Sequence, residues 1–245
     1  MKKTYTQSAE EVLRDLGVGA EGLTTAEAKA RLEKYGPNKL KEAEKPTLLQ
    51  RFIEQLKDPM LIILMIAAGV SAVTGMLAGE SEWAEVIIIL AVVLLNAVLG
   101  VIQESKAEAA IEALQTMTAA TCKVLRDGKM TVLHSDELVP GDVVLLEAGD
   151  AVPADGRIIE NASLKIEEAA LTGESVPVNK MIEALGMETG KDEVPLGDRK
   201  NMCYMGSTVV YGRGKAVITH TGMDTEMGKI AGALAATEDE QTPLQ

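Results

Sequence analysis

The chain has 245 residues and a formal net charge of −13, from 24 basic and 37 acidic side chains. This balance argues against a nucleic-acid-binding surface, which needs clustered basic residues to neutralise phosphates. The two cysteines, Cys122 and Cys203, are too few for a disulfide framework and belong to no C-x-x-C pair. Neither a disulfide-rich class nor a structural zinc site is therefore predicted, and both thiols are expected to be reduced on a cytosolic side.

The first 48 residues predict a small helical module in the cytosol. Two short helices each begin at a hydroxyl side chain that can act as a cap and end at a glycine. The predicted caps are Ser8, with Glu11 completing a capping box, and either Thr24 or Thr25; the predicted ends are Gly17 and Gly36. Residues 49–58 then predict an amphipathic helix at a membrane interface.

Two uncharged stretches dominate the next segment, residues 49–120. Residues 60–79 and 86–102 are each close to the length that spans about 30 Å of hydrocarbon as a helix. Eleven basic residues precede them within residues 1–58, whereas the connecting loop, residues 80–85, has three acids and no base. The positive-inside rule then predicts a transmembrane hairpin with both ends in the cytosol. A pair of buried core helices is the alternative interpretation.

The second stretch continues as strong helix formers without Gly or Pro from Gln103 to Leu114. A helix from Val86 to Gln115 would be about 45 Å long, so its last third should form a cytosolic stalk or a plain amphipathic connector. Asn96 is the one strongly polar side chain in the stretch 86–102. Polar groups at that depth usually face other helices, where a simple interhelical hydrogen bond satisfies them.

From residue 121 the pattern changes to short apolar runs separated by turn residues, which predicts an all-β unit. Asp127-Gly128 is typical of a hairpin turn between strands 122–126 and 129–134. The unit is expected to be a small sandwich or jelly-roll-like barrel within a domain at 121–236. Its further strands are predicted at 143–146, 157–160, 164–167, 208–211 and 215–219, before a last helix capped by Asp224 or Thr225. Residues 237–245 predict an acidic linker to a missing remainder.

Thr172-Gly173-Glu174-Ser175, the TGES loop, lies between β segments and could carry chemistry. Its glycine lets the backbone approach another surface closely, and its hydroxyls suit contact with a phosphate. A carboxylate beside a phosphoryl group can accept a proton from an attacking water. Taken alone, the four residues are also compatible with an ordinary turn.

The run 171–178 around this loop resembles the actuator-domain signature of the P-type ATPases. The resemblance extends along the chain and is closest to the calcium-pump branch, the sarco/endoplasmic-reticulum type and its bacterial relatives. It is carried by residues 22–25, 35–38, 96–100, 103–104, 113–114, 140–142, 149–157, 205–208 and 220–230. It implies an α+β membrane protein with a transmembrane helical hairpin, a long stalk, a jelly-roll-like actuator and a small helical amino terminus.

The resemblance also implies a mechanism for the loop. In such pumps ATP phosphorylates an aspartate in another domain, and the actuator loop then swings over the aspartyl phosphate. By motif position Glu174 orients or deprotonates water, Gly173 allows close approach, and Thr172 and Ser175 hold the loop and the phosphate shell. The resemblance places Asn96 beside the ion path, supporting a ligand from another helix without binding the metal itself.

The Asp-Lys-Thr-Gly-Thr phosphorylation sequence of that family is absent from these 245 residues. ATP, Mg²⁺ and the transported Ca²⁺ are therefore expected to bind outside this segment, which alone should neither hydrolyse ATP nor transport ions. The expected partners are the remainder of the same pump and the lipid bilayer, in the plasma membrane if the source is bacterial. Two alternatives stay open: the same role in a pump for sodium, potassium, protons or manganese, or a membrane-anchored β-domain that scaffolds a partner.

Overall fold

The computed structural model describes residues 3–19, 21–41, 46–78, 83–117, 120–186 and 193–237. The chain forms two compact units, one of Met1–Glu42 with Ala119–Gln245 and one of Ala43–Thr118. The loop acids Glu80 and Glu82 and all but the first residue of the predicted linker 237–245 lie outside the described residues.

The described residues form helices and an antiparallel sheet. The helices are α1 (Ala9–Asp15), α2 (Thr25–Tyr35), α3 (Leu48–Leu56), α4 (Pro59–Ala78), α5 (Trp83–Met117), α6 (Ala169–Thr172) and α7 (Glu226–Thr237). The strands are β1 (Thr121–Arg126), β2 (Lys129–His134), β3 (Val143–Glu147), β4 (Asp155–Glu167), β5 (Val178–Asn179), β6 (Met202–Cys203) and β7 (Thr208–His220).

Capping side chains begin the first two helices, as predicted. The Ser8 hydroxyl accepts the N–H of Glu11 at 3.2 Å, and the Glu11 carboxylate accepts the N–H of Ser8 at 3.0 Å. Thr24 makes the same reciprocal pair with Glu27, so Thr24 and not Thr25 is the cap of α2. Each box satisfies two backbone donors that a helix start leaves unpaired.

The second unit consists of α3, α4 and α5. Thr47 caps α3, and Pro59 is the first residue of α4, where its missing N–H costs nothing. α5 is one continuous helix of 35 residues, which confirms that the second apolar stretch continues past Ile102. Arg51 of α3 forms an ion pair with Glu108 of α5, and Gln55 donates to Glu104 at 3.3 Å.

Two helices of this unit are long and apolar enough to cross a membrane, over Pro59–Leu77 and Trp83–Ile111. Only 17% of each apolar window is buried. Ile63 and Leu77, for example, are 66% and 84% exposed. The described chain therefore leaves most of these two apolar surfaces uncovered.

The sheet of the first unit has the strand order β2-β1-β3-β7-β4-β5, with β6 also paired to β4. All of these pairings are antiparallel. The predicted β1–β2 hairpin is confirmed, with Asp127 and Gly128 at φ 49° and 70° in its turn. Both positive φ values fit the right-handed twist of the flanking strands.

β4 and β7 correct the predicted strand pattern, because each merges two predicted strands. Strands 157–160 and 164–167 are one strand of 13 residues, and so are 208–211 and 215–219. The turn-like residues between them are bulges: Ser163 and Gly212 have φ 55° and 75°, and the register shifts between Ala162 and Lys165. A Cβ at Gly212 would lie 2.3 Å from the Ser163 carbonyl oxygen, so only glycine fits there.

The core of the first unit is a buried apolar cluster to which the strands of this sheet contribute. Its fully buried side chains include Val144, Ile158, Ile166, Val209 and Ile218. A second cluster packs the amino-terminal helices on the sheet through Val12, Leu23, Ala28, Val139 and Val217. The amino-terminal helices and the sheet thus share one unit. The boundary at residue 48, between the amino-terminal module and the segment 49–120, stays a prediction.

Candidate functional site

The TGES loop begins at Thr172, the last residue of the four-residue helix α6, and precedes the two-residue strand β5. Gly173 ends α6 in the left-handed conformation, at φ 76° and ψ −1°, and its N–H donates to the Ala169 carbonyl at 2.9 Å. A residue with a side chain would be strained at this φ. Nothing lies within 4 Å of a Cβ placed at Gly173, so this face of the loop is open.

Thr172 organises the loop through its hydroxyl. The hydroxyl donates to the Glu168 carbonyl at 3.0 Å and accepts the N–H of Glu174 at 3.2 Å. The Thr172 side chain therefore connects the helix before the loop to the backbone of the residue that bears the carboxylate.

The tip of the loop is exposed. Gly173, Glu174, Ser175 and Val176 are all exposed, and Val176 is 75% accessible despite being apolar. The Glu174 carboxylate can therefore meet a group brought to it from outside this unit. Of the four predicted loop residues, Gly173, Glu174 and Ser175 lie at this exposed tip, and Thr172 lies at its base as the last residue of α6.

The neck of the loop contains a buried ion pair that the sequence did not indicate. Lys180 Nζ lies 2.5 Å from Glu168 Oε1, and both side chains are fully buried. Burial raises the pKa of the Glu168 carboxyl above its ordinary value, and the Lys180 ammonium opposes that shift. Within the described residues, Glu168 Oε2 has no hydrogen-bond partner.

The base of the loop packs on a small apolar cluster. Leu171 of α6 contacts the cluster formed by Tyr5, Met202 and Tyr204. Gly197 approaches from another loop, where a Cβ would lie 3.5 Å from Thr172 Cγ2. Helix α6 is thus supported by three separate chain segments, while the tip beyond it is not.

A second buried carboxylate, Asp155, fixes the start of α7. It accepts the N–H of Met205 at 2.9 Å and that of Glu226 at 2.8 Å. Burial raises the pKa of Asp155, and the two N–H groups oppose the shift. In the sequence Asp155 only precedes the predicted strand 157–160, and no residue near it indicates its two distant donors.

Asn96 lies on α5 in the other unit. Its side chain is exposed, whereas Val93 and Ala97 on the same helix are buried. In α4, Thr74 donates back to the carbonyls of Val70 and Ser71 at 3.0 Å, as expected for a hydroxyl in an apolar helix.

Neither cysteine is suited to nucleophilic chemistry. Both are free thiols, and burial raises the pKa of Cys122 and of Cys203 to about 12. A thiol rather than a thiolate is present at neutral pH, and the thiolate is the reactive form. In the part of the chain that the structure describes, no three His, Cys, Asp or Glu side chains form a group that could hold a metal ion.

Comparison with known proteins finds cation-transporting ATPase domains in both the amino-terminal and the carboxyl-terminal part of the chain. The profile of the P-type ATPase actuator domain matches residues 116–235, and that of the cation transporter/ATPase N-terminus matches residues 4–71. A calcium-transporting ATPase of Listeria monocytogenes is 50% identical over 98% of this chain and 26% of its own length. A calcium-transporting ATPase of Bacillus cereus is 46% identical over 100% and 27%. A cation-transporting ATPase of Synechocystis is 43% identical over 98% and 25%. The chain thus spans about a quarter of the length of these relatives.

Proposed function

Because this chain belongs to the P-type cation-transporting ATPases, we propose that it is the actuator domain and first membrane hairpin of an ATP-driven calcium pump. The observation that carries the proposal is the exposed carboxylate of Glu174 at the tip of a loop with a fixed base. Calcium is the transported ion named for the relatives in Listeria and Bacillus.

The proposed chemistry is hydrolysis of an aspartyl phosphate on another domain of the pump. Glu174 accepts a proton from water, or orients it, as the water attacks the phosphorus. Phosphoryl transfer depends mainly on position and on stabilisation of charge, so a carboxylate held in place is the main requirement. The bond from phosphorus to the aspartate oxygen breaks, and inorganic phosphate leaves.

The neighbouring residues hold Glu174 for this step. Gly173 lets the loop approach the phosphorylated surface, because it has no side chain to collide with it. Thr172 fixes the Glu174 backbone through the N–H that its hydroxyl accepts. Ser175 is exposed beside Glu174 and offers a hydroxyl to the phosphate shell.

The two apolar helices α4 and α5 cross the bilayer in this proposal, with the amino terminus and the actuator in the cytosol. The large uncovered apolar surface of both helices supports this placement. Eleven basic residues precede the hairpin and its loop has none, so the positive-inside rule places both ends of the hairpin in the cytosol in this proposal. In a bacterium this membrane is the plasma membrane. The antiparallel sheet of the actuator has a jelly-roll-like fold in this proposal.

Hydrolysis is coupled to transport by covalent connection. The actuator is joined to the hairpin through the stalk at 103–120 and to the remainder of the pump through the linker at 237–245. Rotation of the actuator when phosphate is present or absent moves the membrane helices and opens or closes an ion path. Asn96 lies beside that path and supports an ion ligand from another helix.

ATP, Mg²⁺ and the transported Ca²⁺ bind the remainder of the pump in this proposal. ATP supplies the phosphoryl group and Mg²⁺ neutralises its charge. This chain acts on the aspartyl phosphate that results, through the carboxylate of Glu174.

The proposal is tested with the full-length polypeptide in membrane vesicles. Labelled ATP should give an acid-stable phosphoenzyme that forms only when calcium is present. If the phosphoenzyme instead requires sodium, potassium, protons or manganese, the assignment as a cation pump is correct and the assignment of calcium is wrong. If no cation supports phosphoenzyme, the chain is instead a membrane-anchored β-domain that scaffolds a partner.

A further inference from the structure

The buried ion pair of Glu168 and Lys180 closes the neck of the TGES loop. Glu168 is the residue immediately before α6, and Lys180 is the residue immediately after β5. The chain between them forms a surface loop in which residues 173–177 are exposed. The pair therefore joins the outgoing and returning parts of the loop at the point where both enter the core.

The returning part of the loop is held on the sheet by a short set of backbone contacts. β5 has only two residues, and its register with β4 consists of Val178 opposite Ile166 and Asn179 opposite Lys165. At the end of this part the Lys180 N–H donates to the Leu164 carbonyl at 2.9 Å, and the Lys180 carbonyl accepts the Asn161 side-chain amide. The Met181 N–H then donates to the Lys200 carbonyl at 3.1 Å. These bonds fix the returning backbone, and the ion pair adds a buried side-chain contact that joins Lys180 directly to Glu168 on the outgoing part.

A continuous set of contacts leads from this pair to Glu174. Lys180 binds the Glu168 carboxylate, while the carbonyl of Glu168 accepts the hydroxyl and the N–H of Thr172, each at 3.0 Å. The same Thr172 hydroxyl accepts the N–H of Glu174. The Thr172 side chain thus links Glu168 to the backbone of Glu174, so a shift of Glu168 should also shift Glu174.

Stability alone does not explain two charges at this place. Removing both charges from water costs free energy that their attraction only partly restores, and an apolar pair of similar volume is often as stable. A buried ion pair does, however, fix one geometry, because neither charge can leave its partner without being stranded.

We infer that Glu168 and Lys180 are positioning residues whose ion pair fixes the direction in which Glu174 projects. This inference rests on the proposed role of Glu174 in dephosphorylation. Neither residue touches the reacting atoms. Each acts through the neck of the loop and Thr172.

The test replaces both charges in the full-length pump with neutral side chains of similar volume, Glu168→Gln with Lys180→Met. Phosphoenzyme should form to the level of the parent but decay on the order of 10-fold more slowly or more, because a displacement of about 1 Å can cost about 100-fold. The thermal midpoint should stay within a few degrees of the parent. The conservative variant Lys180→Arg keeps the charge, so its phosphoenzyme should decay at close to the parent rate and faster than that of the neutral double variant.

The matched control is the exposed ion pair of Glu160 and Lys215 in the same unit, at 2.8 Å. Glu160→Gln with Lys215→Met should leave the decay rate unchanged. Decay at the parent rate in the Glu168/Lys180 double variant overturns the inference. Slow decay with a clearly lowered midpoint also overturns it, because the pair then only stabilises the fold.

Two further variants keep the test decisive. If the double variant does not fold, Glu168→Asp retains the charge but shortens the side chain by one carbon; slow decay supports the inference and parental decay overturns it. Glu174→Gln is measured in the same assay. Slow decay there with parental decay in the pair variants rejects the positioning role alone, whereas parental decay in Glu174→Gln rejects the proposed function.

Discussion

The carboxylate of Asp155 accepts the backbone N–H of Glu226 at 2.8 Å, which ties the first residue of β4 to the first residue of α7. Its other oxygen accepts the N–H of Met205 at 2.9 Å. One side chain thus holds three segments that are far apart in sequence. Asp155 therefore fixes where α7 begins on the sheet.

Replacing Asp155 by alanine should destabilise the first unit by about 2 kcal/mol or more, because two N–H groups lose their acceptor. Urea unfolding of the chain in mild detergent, followed by circular dichroism, measures this free energy. Asp136→Ala is the control, because its partner is Lys39 in an exposed ion pair at 3.2 Å. That change should cost less than about 1 kcal/mol. Equal losses in both variants would contradict the structural role of Asp155.

The same carboxylate predicts a dependence of stability on pH. Burial raises the pKa of Asp155 above its ordinary value of 3.8, so the folded chain retains a proton that the unfolded chain has lost. The contribution of this group to stability therefore falls as the pH rises from about 3.8 through the raised pKa, and is constant above it.

Asp155→Asn removes this titration, so the difference in unfolding free energy between parent and variant should change across that pH window. Unfolding midpoints at closely spaced pH values from 4 to 8 measure the difference. A difference that is flat over the whole range, or that changes with the opposite sign, would contradict the direction of the shift.

Thr225 caps α7. Its buried hydroxyl accepts the N–H of Gly228 at 3.0 Å and donates to the Gly222 carbonyl at 2.7 Å. Thr225→Ala should cost about 1 kcal/mol of unfolding free energy. The exposed neighbour Asp224, which the sequence offered as an alternative cap, is the control. Asp224→Ala should change the free energy by less than about 0.5 kcal/mol; a larger loss there than at Thr225 would reverse the assignment.

Gly22 allows the amino-terminal segment to contact β1. Its φ is 75°, and a Cβ there would lie 2.0 Å from the Leu125 carbonyl oxygen. Gly22→Ala should therefore destabilise the unit by about 2 kcal/mol or more, from the left-handed backbone and the collision together. Gly19→Ala, where nothing lies within 4 Å, should be nearly neutral. Thermal unfolding compares the two, and a stable Gly22→Ala variant would contradict this contact.

Local signals were sufficient to predict much of the fold. The cap at Ser8 and the turn at Asp127-Gly128 depend on residues within four positions of one another, so they could be predicted from sequence. The cap of α2 was narrowed to Thr24 or Thr25, and the structure selects Thr24. The length of α5 likewise follows from an unbroken run of helix formers.

Long-range features were not predictable in this way. Gly212 marks a turn by its type, yet here it serves a bulge because Ser163 of β4 lies opposite it. The pairing of Glu168 with Lys180 depends on how the loop between them returns to the core. The four loop residues were predicted as a site from their resemblance to a family signature, whereas the two charged residues at the neck of the loop were not predicted.

The most direct measurement of the central claim is the decay of phosphoenzyme in the full-length pump carrying Glu174→Gln. After formation from labelled ATP and a chase with unlabelled ATP, the variant should form phosphoenzyme as the parent does but lose it about 100-fold more slowly, because a general base contributes at least that factor. Glu33→Gln, at an exposed carboxylate on α2, is the control and should decay at the parent rate. Loss of label from Glu174→Gln as fast as from the parent would contradict the assignment of Glu174 to dephosphorylation.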